Sequence, residues 1–241
     1  MDSDGYFDAR IAETYDADVA GDPEILRLTV ERLAELSDGG ATLEFAIGTG
    51  RVALPLSEQG VSVSGIELSK PMVEQLRAKA GGADMDVVIG DMTSVKVAGE
   101  FSLVFLVFNT IDNLTTQDAQ VACFQNAAEH LSSGGRFVVE TLVPPAQFLK
   151  MGETLRAFER SESHWGVDEI DVATQNYVSH HVWFEDGETR KFSVPFRFAW
   201  PSEMDLMAKM AGMELEHRWS DWEKSAFDQM SRRHISVWRK T

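Results

Sequence analysis

Leu43-Glu44-Phe45-Ala46-Ile47-Gly48-Thr49-Gly50-Arg51 carries an apolar run into a pair of glycines, and its reading decides the fold. Residues 41–46 read as a short strand, 52–58 as a helix and 61–67 as a second buried strand. Gly48 and Gly50 let the backbone approach a ligand closely, and the helix that follows offers unpaired N–H groups and a positive dipole end to an anion.

Outward from this unit the pattern repeats. Ser69 caps a helix running to about residue 80 with Pro71 in its first turn, and residues 86–89 make a third strand. Phe101-Ser102-Leu103-Val104-Phe105-Leu106-Val107-Phe108 is nearly continuous in apolar residues, as a central strand covered on both faces should be. Thr116 caps a helix over 117–131, Gly134-Gly135 breaks it, and 136–143 form a strand that Pro144-Pro145 stops. Upstream, Ile25, Leu26, Leu28, Leu33 and Leu36 recur near helical spacing between Pro23 and Gly39-Gly40. From 152 to 200, stretches such as 177–184 and 190–198 alternate about the turn Asp186-Gly187, which predicts a small antiparallel layer. Pro201 opens a helix to about residue 211, Gly212 ends it, and 213–222 and 234–238 supply two last strands.

This alternation predicts an α/β fold: a doubly wound, Rossmann-like, mostly parallel seven-stranded sheet with an antiparallel last strand, plus a small antiparallel β insertion. One domain is expected over 1–241. Its parts are a helical cap about 1–38, a ligand-binding core about 39–145, the insertion about 152–200 as a substrate cover, and a helix and β-hairpin over 201–241 that complete the core.

The 39 acidic and 22 basic residues give a net charge of -17, so the average surface repels phosphate backbones. Nucleic acid is not an expected partner. The basic pairs Arg232-Arg233 and Arg239-Lys240 read as solvated positions on a terminal hairpin. A single cysteine, Cys123, excludes an intrachain disulfide, no Cys/His cluster has zinc spacing, and no metal is expected. The acidic start Met1-Asp2-Ser3-Asp4-Gly5 lacks a secretory signature, and no segment carries ~18 uninterrupted apolar residues. A cytoplasmic protein with no membrane partner is the expectation.

Taken alone, Gly48-Thr49-Gly50-Arg51-Val52-Ala53 also satisfies the dinucleotide pattern, with Glu67 near the distance of a ribose-binding carboxylate. A nicotinamide enzyme is therefore one reading. Glu44-x-Ala46-x-Gly48-Thr49-Gly50, however, resembles motif I of class I S-adenosylmethionine-dependent methyltransferases, in which an acidic residue precedes the glycines. Val63-Ser64-Gly65-Ile66-Glu67-Leu68-Ser69 resembles motif II, and Ile89-Gly90-Asp91-Met92 resembles the acidic segment after the third strand. The resemblance covers about residues 40–142.

The resemblance implies S-adenosyl-L-methionine as cofactor and gives each residue a role. Glu67 accepts from both ribose hydroxyls, as a carboxylate with two oxygens can. Asp91 accepts from the adenine amino group, the Met92 N–H meets a ring nitrogen, and Leu68 and Met72 cover the base. Glu44 holds the ammonium of the amino-acid end, and the backbone of Ala46, Ile47, Gly48, Thr49 and Gly50 brackets its chain. Phe108-Asn109 resembles motif IV, which lines the methionine moiety. Tyr15, in Glu13-Thr14-Tyr15-Asp16, resembles an N-terminal tyrosine that related enzymes fold over the cofactor.

Methyl transfer from a sulfonium is an in-line displacement, so the protein's main task is to align the acceptor and exclude water. A hydroxyl acceptor profits from a general base, whereas an amine must arrive unprotonated or lose its proton nearby. Candidates for that base are Asp112, Glu140, His164, His180 and His181, with His164, beside Trp165, preferred as the catalytic residue. His180 and His181 are consecutive on a strand, so at most one points into a site. Trp165, Tyr177, Trp183, Phe184, Phe196, Phe198 and Trp200 supply an aromatic set for an apolar pocket wall. The resemblance implies a small-molecule acceptor methylated on O or N, with a homodimer allowed. The rivals are an RNA or protein methyltransferase, an NAD-dependent oxidoreductase, and a non-catalytic cofactor-binding protein.

Overall fold

The computed structural model describes residues 7–18, 21–144, 149–185 and 187–241; Pro145 and Asp186, the expected strand stop and turn residue, lie outside them. The first strands are β1 (Thr42–Phe45), β2 (Val63–Glu67), β3 (Asp86–Ile89), β4 (Phe101–Leu106) and β5 (Leu131–Leu142). Strands β6 (Leu155–Arg160), β7 (His164–Asp171), β8 (Asn176–Glu185) and β9 (Glu188–Arg197) form a separate four-stranded antiparallel sheet. Strands β10 (Met213–Trp219) and β11 (Arg233–Lys240) rejoin the first sheet, giving the order β10-β11-β5-β4-β1-β2-β3. β1 runs parallel to β2 and β4, and β11 runs antiparallel to both β5 and β10.

The helices arise where the sequence signals them. In α2 (Pro23–Ser37) the Asp22 carboxylate accepts the Glu24 N–H, Pro23 opens the first turn, and Asp38 closes the end in the left-handed region. In α4 (Lys70–Ala78) the Ser69 hydroxyl accepts the Met72 N–H, and in α5 (Gln117–His130) Thr116 does the same for Ala119. The remaining helices are α1 (Ala9–Asp18), α3 (Ala53–Glu58) and α6 (Pro201–Met210). None of these helices is long and apolar enough to cross a membrane.

One expectation fails locally. The glycine pair at 134–135 does not separate α5 from β5, because the strand begins at Leu131 directly after the helix. Instead the β4 pairing jumps from Phe101↔Leu131 to Leu103↔Arg136, which leaves the glycines inside an irregular bulge. Gly134 takes a φ of +77° there, a conformation strained for any other residue.

The sheet is covered on both sides. Phe124 of α5 packs edge-on against Phe137 and Trp238, with ring centroids 5.0 and 5.2 Å away. On the other face Val30 and Leu33 of α2 and Leu56 of α3 bury against Phe105, Val138 and Val237. Each such side chain contributes roughly 1.5–3 kcal/mol by leaving water. The strand order reverses between β1 and β4, so a crevice opens at the carboxyl ends of the two strands. The glycine loop leaves one and Phe108-Asn109 leaves the other.

Candidate functional site

The loop after β1 is turned by left-handed residues: Ala46 at φ +53°, Gly48 at +57° and Gly50 at +77°. A Cβ on Gly50 would stand 3.0 Å from Leu76 and 3.1 Å from Leu54, so both the backbone conformation and the packing call for glycine. Ile47 N–H bonds to Ile66 O at 3.0 Å, tying the loop to β2.

Glu67, at the end of β2, is buried and its carboxylate is fixed by two backbone donors. Oε2 accepts the Gly48 N–H at 2.8 Å and Oε1 accepts the Ser69 N–H at 2.9 Å. Its oxygens keep acceptor capacity for a ligand. Burial raises its pKa, and the Ser69, Gly48 and Leu68 N–H groups hold the rise down. Glu44, inside β1, is also buried. It takes the Ala53 N–H, yet Oε2 has no partner among the described residues. Burial pushes the Glu44 carboxyl well above its usual range, against the charge of Arg51. An orphaned buried carboxylate oxygen beside the loop is a place for an incoming donor.

Around these carboxylates the other expected residues take different positions. Leu68 is 44% exposed, whereas Met72 is buried, its methyl 3.4 Å from where a Gly48 Cβ would stand. Asp91 is exposed and uses Oδ1 to cap its own turn through the Thr93 N–H. The Met92 side chain is buried in the main core, and its carbonyl accepts from Asn126 at 2.8 Å.

Helix α1 lies across the loop. Asp16 Oδ1 accepts from the Thr49 hydroxyl at 2.5 Å, Asp16 pairs with Lys79, and Lys79 Nζ reaches Thr49 O at 2.8 Å. Ser69 Oγ donates to Phe7 O at 2.6 Å. Tyr15 is half-buried, feels the charges of Arg51, Glu67 and Glu44, and meets Phe7 edge-on. Thr49 thus turns its side chain toward α1. This fastening was not legible in sequence, where only Tyr15 carried a signal.

At the end of β4, Phe108 and Asn109 both take positive φ, +60° and +59°. Glu140 of β5 holds this strained pair: Oε2 accepts the Phe108 N–H at 3.1 Å and its carbonyl accepts the Asn109 N–H at 3.1 Å. Trp222 Nε1 donates to the other Glu140 oxygen. With both oxygens engaged, Glu140 reads as a scaffold for the strand end. Phe108 is 43% exposed, with the Arg51 guanidinium 4.5 Å over its ring.

The structure does not bring His164 to this edge. Its ring bonds to His181 at 3.0 Å and stacks with Trp183, both within the small sheet. His164 pairs with Trp183 while Tyr177 pairs with Ile170, so six residues separate them along β7, about 20 Å. His164 thus sits away from the edge that Tyr177 reaches. His180 faces the opposite side, bonded to Ser193 and Glu169. The small sheet instead sends Tyr177 to the crevice, where its hydroxyl donates to Asp112 at 3.2 Å.

A family model described as a methyltransferase domain matches residues 42–135. A structure of CalS10, an amino pentose methyltransferase from Micromonospora echinaspora with S-adenosylmethionine bound, has the same fold. Its TM-score is 0.71 at 20% identity, over 95% of this chain and 97% of that one. The CcbJ methyltransferase from Streptomyces caelestis is 36% identical over 99% of both chains, with a TM-score of 0.87. The chain belongs to the S-adenosylmethionine-dependent methyltransferases. A further relative of this methyltransferase, the cypemycin N-terminal methyltransferase of a Streptomyces species, is 27% identical over 184 residues, 74% of each chain. The cofactor of the enzyme is S-adenosyl-L-methionine. Its groups suit the donors and acceptors on the loop: two ribose hydroxyls for Glu67, and an ammonium for the orphaned Glu44 oxygen.

Proposed function

We propose that this methyltransferase places a methyl group on the nitrogen of a small, amine-bearing molecule. When bound, the cofactor supplies an electrophilic methyl on a sulfonium, and the chain aligns the acceptor and keeps water out. In this reading Glu67 holds the ribose, Leu68 and Met72 flank the adenine, and Asp91 with the Met92 N–H meets its polar edge. Glu44 and the Ala46, Ile47, Gly48, Thr49 and Gly50 backbone take the amino-acid end. Phe108 and Asn109 line the methionine moiety, and Tyr15 closes over it from α1.

The observation that carries the acceptor class is the buried carboxylate of Asp112 in the turn that follows β4. Asp112 is buried, and the cation whose charge reaches it, Arg197, is itself bonded to Glu203 and Gln120. A buried carboxylate whose neighbouring cation is committed elsewhere favours a cationic or amine ligand. The name of the cypemycin relative, which points to an N-terminus, supports the same choice. Net charge -17 disfavours an RNA acceptor. A cytoplasmic location belongs to the proposal, supported by one cysteine, buried and free.

Calorimetry should show binding of S-adenosylmethionine and S-adenosylhomocysteine and none of NAD. Incubation with methyl-labelled cofactor and metabolite extract, read by mass spectrometry, should then yield methylated amines. NAD binding alone would overturn the cofactor assignment, and label found only on oxygen would overturn the amine reading.

A further inference from the structure

Asp112 sits in the 3-10 turn Thr110–Asn113 that follows Phe108-Asn109, and its side chain points inward. Its two oxygens each meet one hydroxyl: Thr141 Oγ1 of β5 at 3.3 Å and Tyr177 Oη of β8 at 3.2 Å. Both contacts are longer than the ~2.7 Å usual for O–H···O bonds, so the carboxylate is loosely held and keeps acceptor capacity. The nearest cation, Arg197 of β9, is committed to Glu203 of α6 at 2.7 Å and to Gln120 of α5. Asp168 of β7 faces Tyr177 as the other nearby charge.

Tyr177 joins this buried carboxylate to the second sheet. The phenol is half-buried, stacks on Phe196 at 5.0 Å and neighbours Phe198, so its ring is fixed while its hydroxyl meets Asp112 in the turn after β4. Resting on the amine reading above, we infer that Tyr177 and Asp112 form the proton relay of the acceptor, Tyr177 meeting the amine and Asp112 storing its proton. An ammonium N–H bond breaks and its proton passes to the Tyr177 oxygen. The phenol's own proton moves to Asp112 Oδ2, and the nitrogen keeps the freed lone pair. That pair forms the new N–C bond while the S–C bond of the cofactor breaks, its electrons staying on sulfur.

The electrostatics agree with the geometry. Burial pushes the Asp112 carboxyl up to about 7, with the Tyr177 and Thr141 hydroxyls and the Arg197 charge restraining the rise. A proton store is most effective when it titrates near the working pH. His181, by contrast, is pushed down to about 4 by burial and by the charges of His164 and His180.

The test follows Asp112 directly, by carbon NMR of aspartate-labelled protein saturated with S-adenosylhomocysteine, with cyclohexylamine as the probe and Asp112→Asn to assign the signal. Asp112 should titrate near 7. Cyclohexylammonium should lower that midpoint by about one unit, a tenfold change in proton affinity, whereas cyclohexanol should leave it in place. Tyr177→Phe should abolish the amine response, and Thr141→Val should retain it; unchanged S-adenosylhomocysteine binding checks that each variant is folded. Titration in the ordinary carboxylate range, indifference to cyclohexylammonium, or an intact response in Tyr177→Phe overturns the relay. Failure of wild-type protein to bind S-adenosylhomocysteine overturns the cofactor assignment instead, and an extract yielding no methylated amine overturns the acceptor reading.

Discussion

Glu67→Ala probes the cofactor site most directly. The wild-type carboxylate is locked by the Gly48 and Ser69 N–H groups, so in the proposed role it would meet the ribose hydroxyls without reorganising. Removing a hydrogen bond to a charged group costs about 1.5–3 kcal/mol. Two such bonds are at stake, but burial already disfavours the Glu67 anion in the free protein, which reduces the net loss. A loss of about 3 kcal/mol follows, roughly 150-fold in the Kd of S-adenosylhomocysteine by calorimetry. Glu67→Gln keeps one accepting oxygen and should lose about half of that. The pH dependence has a defined sign. Burial raises the Glu67 pKa in the free protein, and ribose donors stabilise the anion, so binding releases a proton and tightens as pH rises through the free-protein value. Unchanged affinity in a natively folded Glu67→Ala, or binding that weakens between pH 5 and 8, refutes the assignment.

Three other outcomes follow from the same geometry. Glu44→Gln should weaken S-adenosylhomocysteine about tenfold yet stabilise the free protein at pH 8, since a raised carboxyl pKa means that ionisation opposes folding above the unfolded value. Urea unfolding at pH 5 and pH 8 checks this, and equal destabilisation at both contradicts it. Asp16→Ala should release S-adenosylhomocysteine about fivefold faster in stopped flow and speed amide exchange in α1, because Thr49 and Lys79 lose their shared partner on the helix. Burial opposes the Asp16 charge but Lys79 and Thr49 outweigh it and lower the pKa, so this fastening should weaken as pH falls through the carboxylate range. Cys123 is fully buried with its thiol pushed up by burial, so iodoacetamide should leave it unmodified until the protein unfolds.

The sequence by itself determined the alternation of strands and helices, the caps at Ser69 and Thr116, and the glycine turn flanked by Glu44 and Glu67. These are signals within a few residues: apolar periodicity, capping side chains and glycine conformations act locally, so they survive without knowledge of the fold. The bulge at Gly134 escaped because glycine breaks a helix and bends a strand by the same local freedom. Only the tertiary structure decided what lies around the cofactor loop and the acceptor edge. Asp16 meets Thr49 across 33 residues, Tyr177 meets Asp112 across 65, and Trp222 meets Glu140 across 82. It also separated His164, chosen for its chemistry and its place beside an aromatic residue, from that edge by about 20 Å of strand. Which carboxylate is buried beside which hydroxyl depends on strand order and on the docking of the second sheet, and no periodicity records either.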